Sequence, residues 1–155
     1  MHPVEGTIVI LDLDRFEDYM KEHGIVDEYK PNIVTGTLTR LIEELLGKWR
    51  GVMVYGLDYQ RGTEEAVIEV PYTNALELKD DLIRVAEAIA SLGASITIVA
   101  LTSYIMGIPA RNQREAYSGY RRRAKRVLER LKKQGGGVVY IDGMIVWRLK
   151  STGSS

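Results

Sequence analysis

The chain of 155 residues contains no cysteine. That excludes disulfides, thiolate nucleophiles and cysteine-bound zinc, and it suits a reducing, cytoplasmic setting. There is no excess charge of either sign. Twenty-one basic residues face twenty-one acidic ones, so nothing pulls the whole chain toward nucleic acid or a membrane surface. No apolar run approaches the ~20 residues of a membrane span. The opening residues lack a basic stretch, an apolar core and a cleavage site, so no secretory signal is expected. Only two histidines occur, His2 at the N-terminus and His23 near a helix end, and neither reads as a ligand or a base. A nucleophile-elbow serine, a Walker loop and zinc-ligand spacing are all missing.

What the chain does have is Thr7-Ile8-Val9-Ile10-Leu11-Asp12-Leu13-Asp14-Arg15-Phe16. Consecutive aliphatic residues read as a strand buried on both faces, because a half-exposed strand alternates. Two carboxylates spaced i, i+2 end the run and fall on the same side of an extended backbone. Acids at the end of a buried strand suit a divalent cation, since Mg²⁺ takes one or two carboxylates plus substrate phosphates. A plainer reading stands beside it: Asp14 caps the helix that follows, over 15–23, and Asp12 is solvated.

Helix and strand patterns then alternate. A short amphipathic piece (Phe16, Tyr19, Met20) ends at Gly24. Pro31 opens a longer helix with Val34, Leu38, Leu41, Ile42, Leu45 and Leu46 on one face, stopping at Gly47. Residues 52–55 and 66–70 read as an antiparallel hairpin with a long tip at 56–65. Asn74 and Glu77 form a capping box for a helix that ends at Gly93. A strand over 95–101 and a helix over 113–134 follow. Three glycines then lead into a strand at 138–141, with 144–149 continuing it or turning back. We expect one domain over 1–150, with 151–155 a small polar tail outside the fold. The expected class is α+β: a ferredoxin-like antiparallel sheet carrying the 8–11, 52–55, 66–70 and 96–99 strands, long helices on one face, and an appended helix and strand. In that arrangement the Asp12 strand end and the hairpin at Asp58 meet at one sheet edge.

Leu11-Asp12-Leu13-Asp14-Arg15-Phe16, followed by Gly24, resembles the DxDxF…G opening of GGDEF domains, the palm-type nucleotidyl cyclases. Val54-Tyr55-Gly56-Leu57-Asp58-Tyr59 resembles their YGG(D/E)EF hairpin, and Lys132-Lys133-Gln134-Gly135 their AKxxGRN segment. The matches lie within residues 7–142, and the hairpin is also similar to archaeal type III GTP cyclohydrolases. The resemblance implies that Asp12, the Leu13 carbonyl and Asp58 share Mg²⁺ or Mn²⁺. It further implies that Asp12 and Asp58 carry the chemistry on a purine nucleoside triphosphate, that Phe16 and Gly56 line the nucleotide and that Lys132 reaches its phosphates. For Gly56 an ordinary turn glycine, and for Lys132 a solvated helix residue, stand as the plainer readings.

Departures from that pattern are marked. Leu57 replaces the second glycine, Tyr59 an acid and Gln60 the phenylalanine, while Met20, Lys21 and Gly136 stand where guanine-reading and phosphate-binding residues would be. A diguanylate cyclase is therefore not expected. Two readings stay open: a metal-dependent enzyme acting on a nucleoside triphosphate by cyclisation, nucleotidyl transfer or cyclohydrolase-like hydrolysis, or a catalytically inactive domain serving as nucleotide sensor or protein-interaction module. The family resemblance implies a homodimer, with Ile105, Met106, Ile108 and Trp147 as apolar surface candidates. The basic run Arg121-Arg122-Arg123-Ala124-Lys125-Arg126 is most simply a solvated helix face and, more sharply, a phosphate or RNA contact strip. Tyr104, Tyr117 and Tyr120 border the core or stack on a base. No membrane partner is expected.

Overall fold

The computed structural model describes residues 2–25 and 32–150; the expected helix start at Pro31 and the tail 151–155 lie outside them. Its elements are β1 (Val4–Asp14), α1 (Phe16–Glu22), α2 (Ile33–Trp49), β2 (Val52–Tyr55), β3 (Glu65–Pro71), α3 (Lys79–Ser91), β4 (Ser95–Ile105), α4 (Gln113–Ala116), α5 (Arg122–Lys133), β5 (Val138–Ile141) and β6 (Met144–Arg148). The class is α+β. One six-stranded sheet runs in the order β2-β3-β1-β4-β5-β6. β1 sits centrally, antiparallel to both β3 and β4. The sheet is mixed rather than antiparallel throughout, because β5 runs parallel to β4 after the helical crossover.

The aliphatic run of β1 explains the layering. Ile8, Val9, Ile10 and Leu11 are all fully buried, and successive side chains on a strand point to opposite faces. Val9 and Leu11 pack into a core with Leu38 and Ile42 of α2 and Leu82 and Ile89 of α3. Ile8 and Ile10 pack on the other face with Ala124, Val127, Leu128 and Leu131 of α5. The expectation of long helices on one face is thus corrected. A central strand that is apolar on both sides must be covered on both, and burying each such aliphatic side chain contributes about 1.5–3 kcal/mol.

Local boundaries follow the same chemistry. The capping box at Asn74 and Glu77 is present, opening a 3₁₀ turn that runs into α3. Asn32 caps α2 together with Thr35. Gly47 does not end α2; Arg50 takes the left-handed conformation instead, at φ 52°. The last turn is held by Asp81 of α3, which accepts from Trp49 Nε1 at 2.8 Å and pairs with Lys48 at 2.9 Å. β6 hairpins back on β5 through Asp142 and Gly143, both at positive φ. Ile105, expected at the surface, is 1 % exposed and fills the space above Gly6. Among the described residues no helix is long and apolar enough to cross a membrane.

The expected single helix over 113–134 is broken between α4 and α5, and an ion pair accounts for the break. Glu69 sits in mid-sheet, opposite Ile8 and Val52. Its carboxylate accepts from Gly107 N at 2.9 Å and Arg121 Nη1 at 3.0 Å. The two side chains are 1 % and 11 % exposed. Arg121 also donates to the carbonyls of Glu115 and Ala116 at the end of α4, so the chain bends through a 3₁₀ turn to deliver it. Arg121 therefore leaves the basic helix face. Removing one partner strands a buried charge, so Glu69→Gln or Arg121→Met should each cost about 3–5 kcal/mol, while Glu69→Leu combined with Arg121→Met should cost much less. Denaturant unfolding of the three variants checks this.

Candidate functional site

The end of β1 is also where β3, β4 and β5 begin. Asp12 lies opposite Glu65 at the start of β3 and Thr97 in β4. Asp14 lies opposite Ser95, the first residue of β4. Because β4 and β5 are parallel, Gly137 enters the sheet at this same end. Asp12 and Asp14 share the α5 face of the strand with Ile8 and Ile10. The C-terminal turn of α5 hangs above them.

Asp14 is buried and fully engaged. One carboxylate oxygen accepts from Thr97 Oγ1 at 2.7 Å, the other from Ser95 Oγ at 2.7 Å and Gly137 N at 2.9 Å. Thr97 Oγ1 in turn accepts from Gly137 N at 3.1 Å. Asp14 does not cap α1, whose N-cap is Arg15 and which has no side-chain cap. Gly136 passes so close that an added Cβ would lie 2.5 Å from Asp14 Oδ1, and its φ is +65°. Only glycine suits both demands, which explains why no arginine stands there.

Lys132 reaches into this corner rather than into solvent. Its Nζ lies 3.0 Å from Asp12 Oδ2, 3.1 Å from Asp14 Oδ1 and 3.0 Å from the Leu13 carbonyl oxygen. The contact with the Leu13 carbonyl is a hydrogen bond, and those with the two carboxylates are ion pairs. The Asp12 and Lys132 side chains are 18 % and 29 % exposed. Burial raises the Asp12 carboxyl above its usual range, Lys132 opposes that rise, and Glu65 adds to it. Glu65 is held by Gln113 Nε2 at 2.8 Å. Tyr117 Oη is buried without a hydrogen-bond partner; burial, then the charge of Glu65, holds its hydroxyl well above the ordinary value. Its ring lies under Lys125, 4.2 Å from Nζ to centroid.

Of the remaining sequence candidates, Gly56 and Asp58 lie beside Glu65 and the others fall elsewhere. Asp58 turns its carboxylate into its own loop, accepting from Gln60 N and Arg61 N at 2.9 Å each. The acid set opposite Asp12 is Glu65, because the hairpin tip delays the start of β3 until that residue. Gly56, at φ +105°, makes its close approach to the chain itself: an added Cβ would stand 2.0 Å from the Glu65 carbonyl oxygen. Phe16 is 7 % exposed and stacks on Tyr19 within the core. Tyr104 and Tyr120 pair at the surface, 6.1 Å between ring centroids. Glu65 was absent from the sequence candidates, though two acids immediately before an apolar strand were its visible signal.

Among the described residues no group of three or more His, Cys, Asp or Glu side chains is gathered as a metal cage. The donors at the β1 end, two carboxylates and a carbonyl, are nevertheless hard oxygens of the kind Mg²⁺ or Mn²⁺ takes when phosphates complete the shell. The chain matches no protein-family model and no curated protein.

An acid whose pKa is raised on folding contributes stability below its unfolded value, near 3.8, and loses it as pH rises through the folded value. In chelator, Asp12→Asn should therefore melt higher than wild type at pH 7, with the gain fading toward pH 4. Thermal melts from pH 4 to 8 read the difference.

Proposed function

We propose that this chain is a palm-type, GGDEF-like nucleotide-binding domain that takes a purine nucleoside triphosphate with Mg²⁺ or Mn²⁺ at the end of β1. The observation that carries the reading is the convergence of Asp12, the Leu13 carbonyl and Lys132 at one strand end. The order β2-β3-β1-β4 with intervening helices supports it, being that of the ferredoxin-like unit. On this reading Gly62-Thr63-Glu64-Glu65, rather than Gly56-Leu57-Asp58, is the counterpart of the family's acidic turn, since it brings an acid opposite Asp12.

Each residue then has a defined task. Asp12 and the Leu13 carbonyl hold the cation, with Glu65 adding negative charge beside it. A bound divalent ion would bridge phosphate oxygens and offset their charge. Lys132 supplies a positive charge within reach of the same phosphates. Asp14, saturated by Ser95, Thr97 and Gly137, positions β1 and the glycine segment instead of binding substrate.

A second reading, a catalytically inactive domain serving as sensor or protein-interaction module, draws on two specific observations. Lys132 already neutralises the strand-end acids, and Asp58 is spent on its own loop. Either way a homodimer would bring two such sites together, and the basic face of α5 offers phosphate contacts. The protein should melt about 5–10 °C higher with metal and its nucleotide at a roughly hundredfold excess over Kd, from about 2.7 kcal/mol of linkage. Asp12→Asn should abolish the rise, and Asp80→Asn, exposed on α3, should keep it. If no triphosphate with Mg²⁺ or Mn²⁺ moves the melting temperature, the nucleotide reading fails and the module reading replaces it.

A further inference from the structure

A cation already sits among the oxygens at the end of β1, and it belongs to the chain. Lys132 Nζ is almost equidistant from Asp12 Oδ2, Asp14 Oδ1 and the Leu13 carbonyl, at 3.0, 3.1 and 3.0 Å. Those three oxygens are of the type a magnesium ion accepts, and they would need to close only to about 2.1 Å around it. The ammonium centre and a divalent ion bound there would occupy nearly the same point. Both cannot, since their mutual repulsion would act at very short range in a half-buried site.

We propose that Lys132 is the resident counter-ion of this site, filling the place of a divalent cation. The chain then admits such an ion at Asp12 and the Leu13 carbonyl only when Lys132 is drawn away. The proposal depends on the nucleotide reading only for what draws it away, the phosphates of the ligand.

Three features support a lock rather than a chance ion pair. Lys132 stands on the same helix turn as Leu131 and four residues after Leu128, both buried, so the apolar face of α5 fixes where its stem begins. The contact with the Leu13 carbonyl adds a third, directional partner to two carboxylates. Asp14 keeps three other donors when the ammonium leaves, whereas Asp12 has Lys132 as its charged partner. Without Lys132, Asp12 is left calling for a proton or another cation. The ammonium is also tethered, so it competes at high effective concentration with an ion that sheds its water reluctantly.

The test is Mn²⁺ binding to the whole chain without nucleotide, read by loss of the free-ion electron paramagnetic resonance signal and by thermal melting. Wild type should take up no Mn²⁺ at millimolar concentration and show no melting shift. Lys132→Met, which keeps the stem and removes the charge, should bind Mn²⁺ at least tenfold more tightly and melt higher with it. Adding Asp12→Asn to that variant should abolish the gain. If Lys132→Met is too unstable to purify, Lys132→Gln keeps hydrogen-bond donors for Asp12 and carries the same expectation. Wild type that binds Mn²⁺ as tightly as the variant overturns the proposal. So do folded Lys132 variants, confirmed by circular dichroism, that gain no Mn²⁺ binding. Gained binding in the variant together with no wild-type response to metal plus triphosphate supports the lock and retires the nucleotide reading alone.

Discussion

The carboxylate of Asp14, buried where β1 ends, joins three stretches of the chain that are far apart in sequence: β1, the start of β4 and the α5–β5 connection. It accepts from Ser95 and Thr97 of β4 and from the backbone of Gly137 at the mouth of β5, and it pairs with Lys132 at the end of α5. A buried charge with so many donors is strongly held, and stripping them would leave it uncompensated. The strand end, the glycine segment and the helix terminus are therefore arranged around one group. Asp12, two residues earlier, inherits its surroundings from that arrangement. It gains a cation from above and an acidic neighbour from β3, but far fewer fixed donors.

A second ion pair organises the middle of the same sheet face. Glu69 and Arg121 are placed among apolar residues, and the interruption between α4 and α5 follows from the need to bring Arg121 inward. The two charged centres share the face covered by α4 and α5, while the other face, under α1, α2 and α3, is mainly apolar. The strand-end acids thus share one side of the sheet with Tyr117, Gln113 and the basic helix.

Much of this was legible in the amino-acid order where the determining contacts are local. The aliphatic run of β1, the Asn74–Glu77 capping box and the hairpin halves each carry their own periodicity or turn chemistry. Asp12 was visible as a strand-end acid. Asp14 was visible as a residue but not as an anchor, because its partners lie 81 to 123 positions away. Lys132 reads in isolation as one more cation on a basic helix; only the end of β1 beneath it gives it three oxygens. Glu65 was hidden by the long hairpin tip, which shifts where β3 resumes and so which acid faces Asp12. The break before α5 was equally non-local, since Glu69 precedes Arg121 by 52 residues.

Gly135, Gly136 and Gly137 all adopt positive φ, at 113°, 65° and 68°. Ordering glycine costs more backbone entropy than ordering any other residue, and here three in succession are ordered at the entrance to β5. Little side-chain burial is available in that stretch to offset the cost. Hydrogen bonds must do it, notably Gly137 N to Asp14 and Leu149 N to the Gly137 carbonyl at 2.7 Å. The β5–β6 edge is held to the body of the sheet by the β4–β5 ladder, and its entrance is an entropically expensive glycine segment. Local opening there needs less free energy than global unfolding, and each such opening removes a donor from Asp14 and exposes the acids beside it to water.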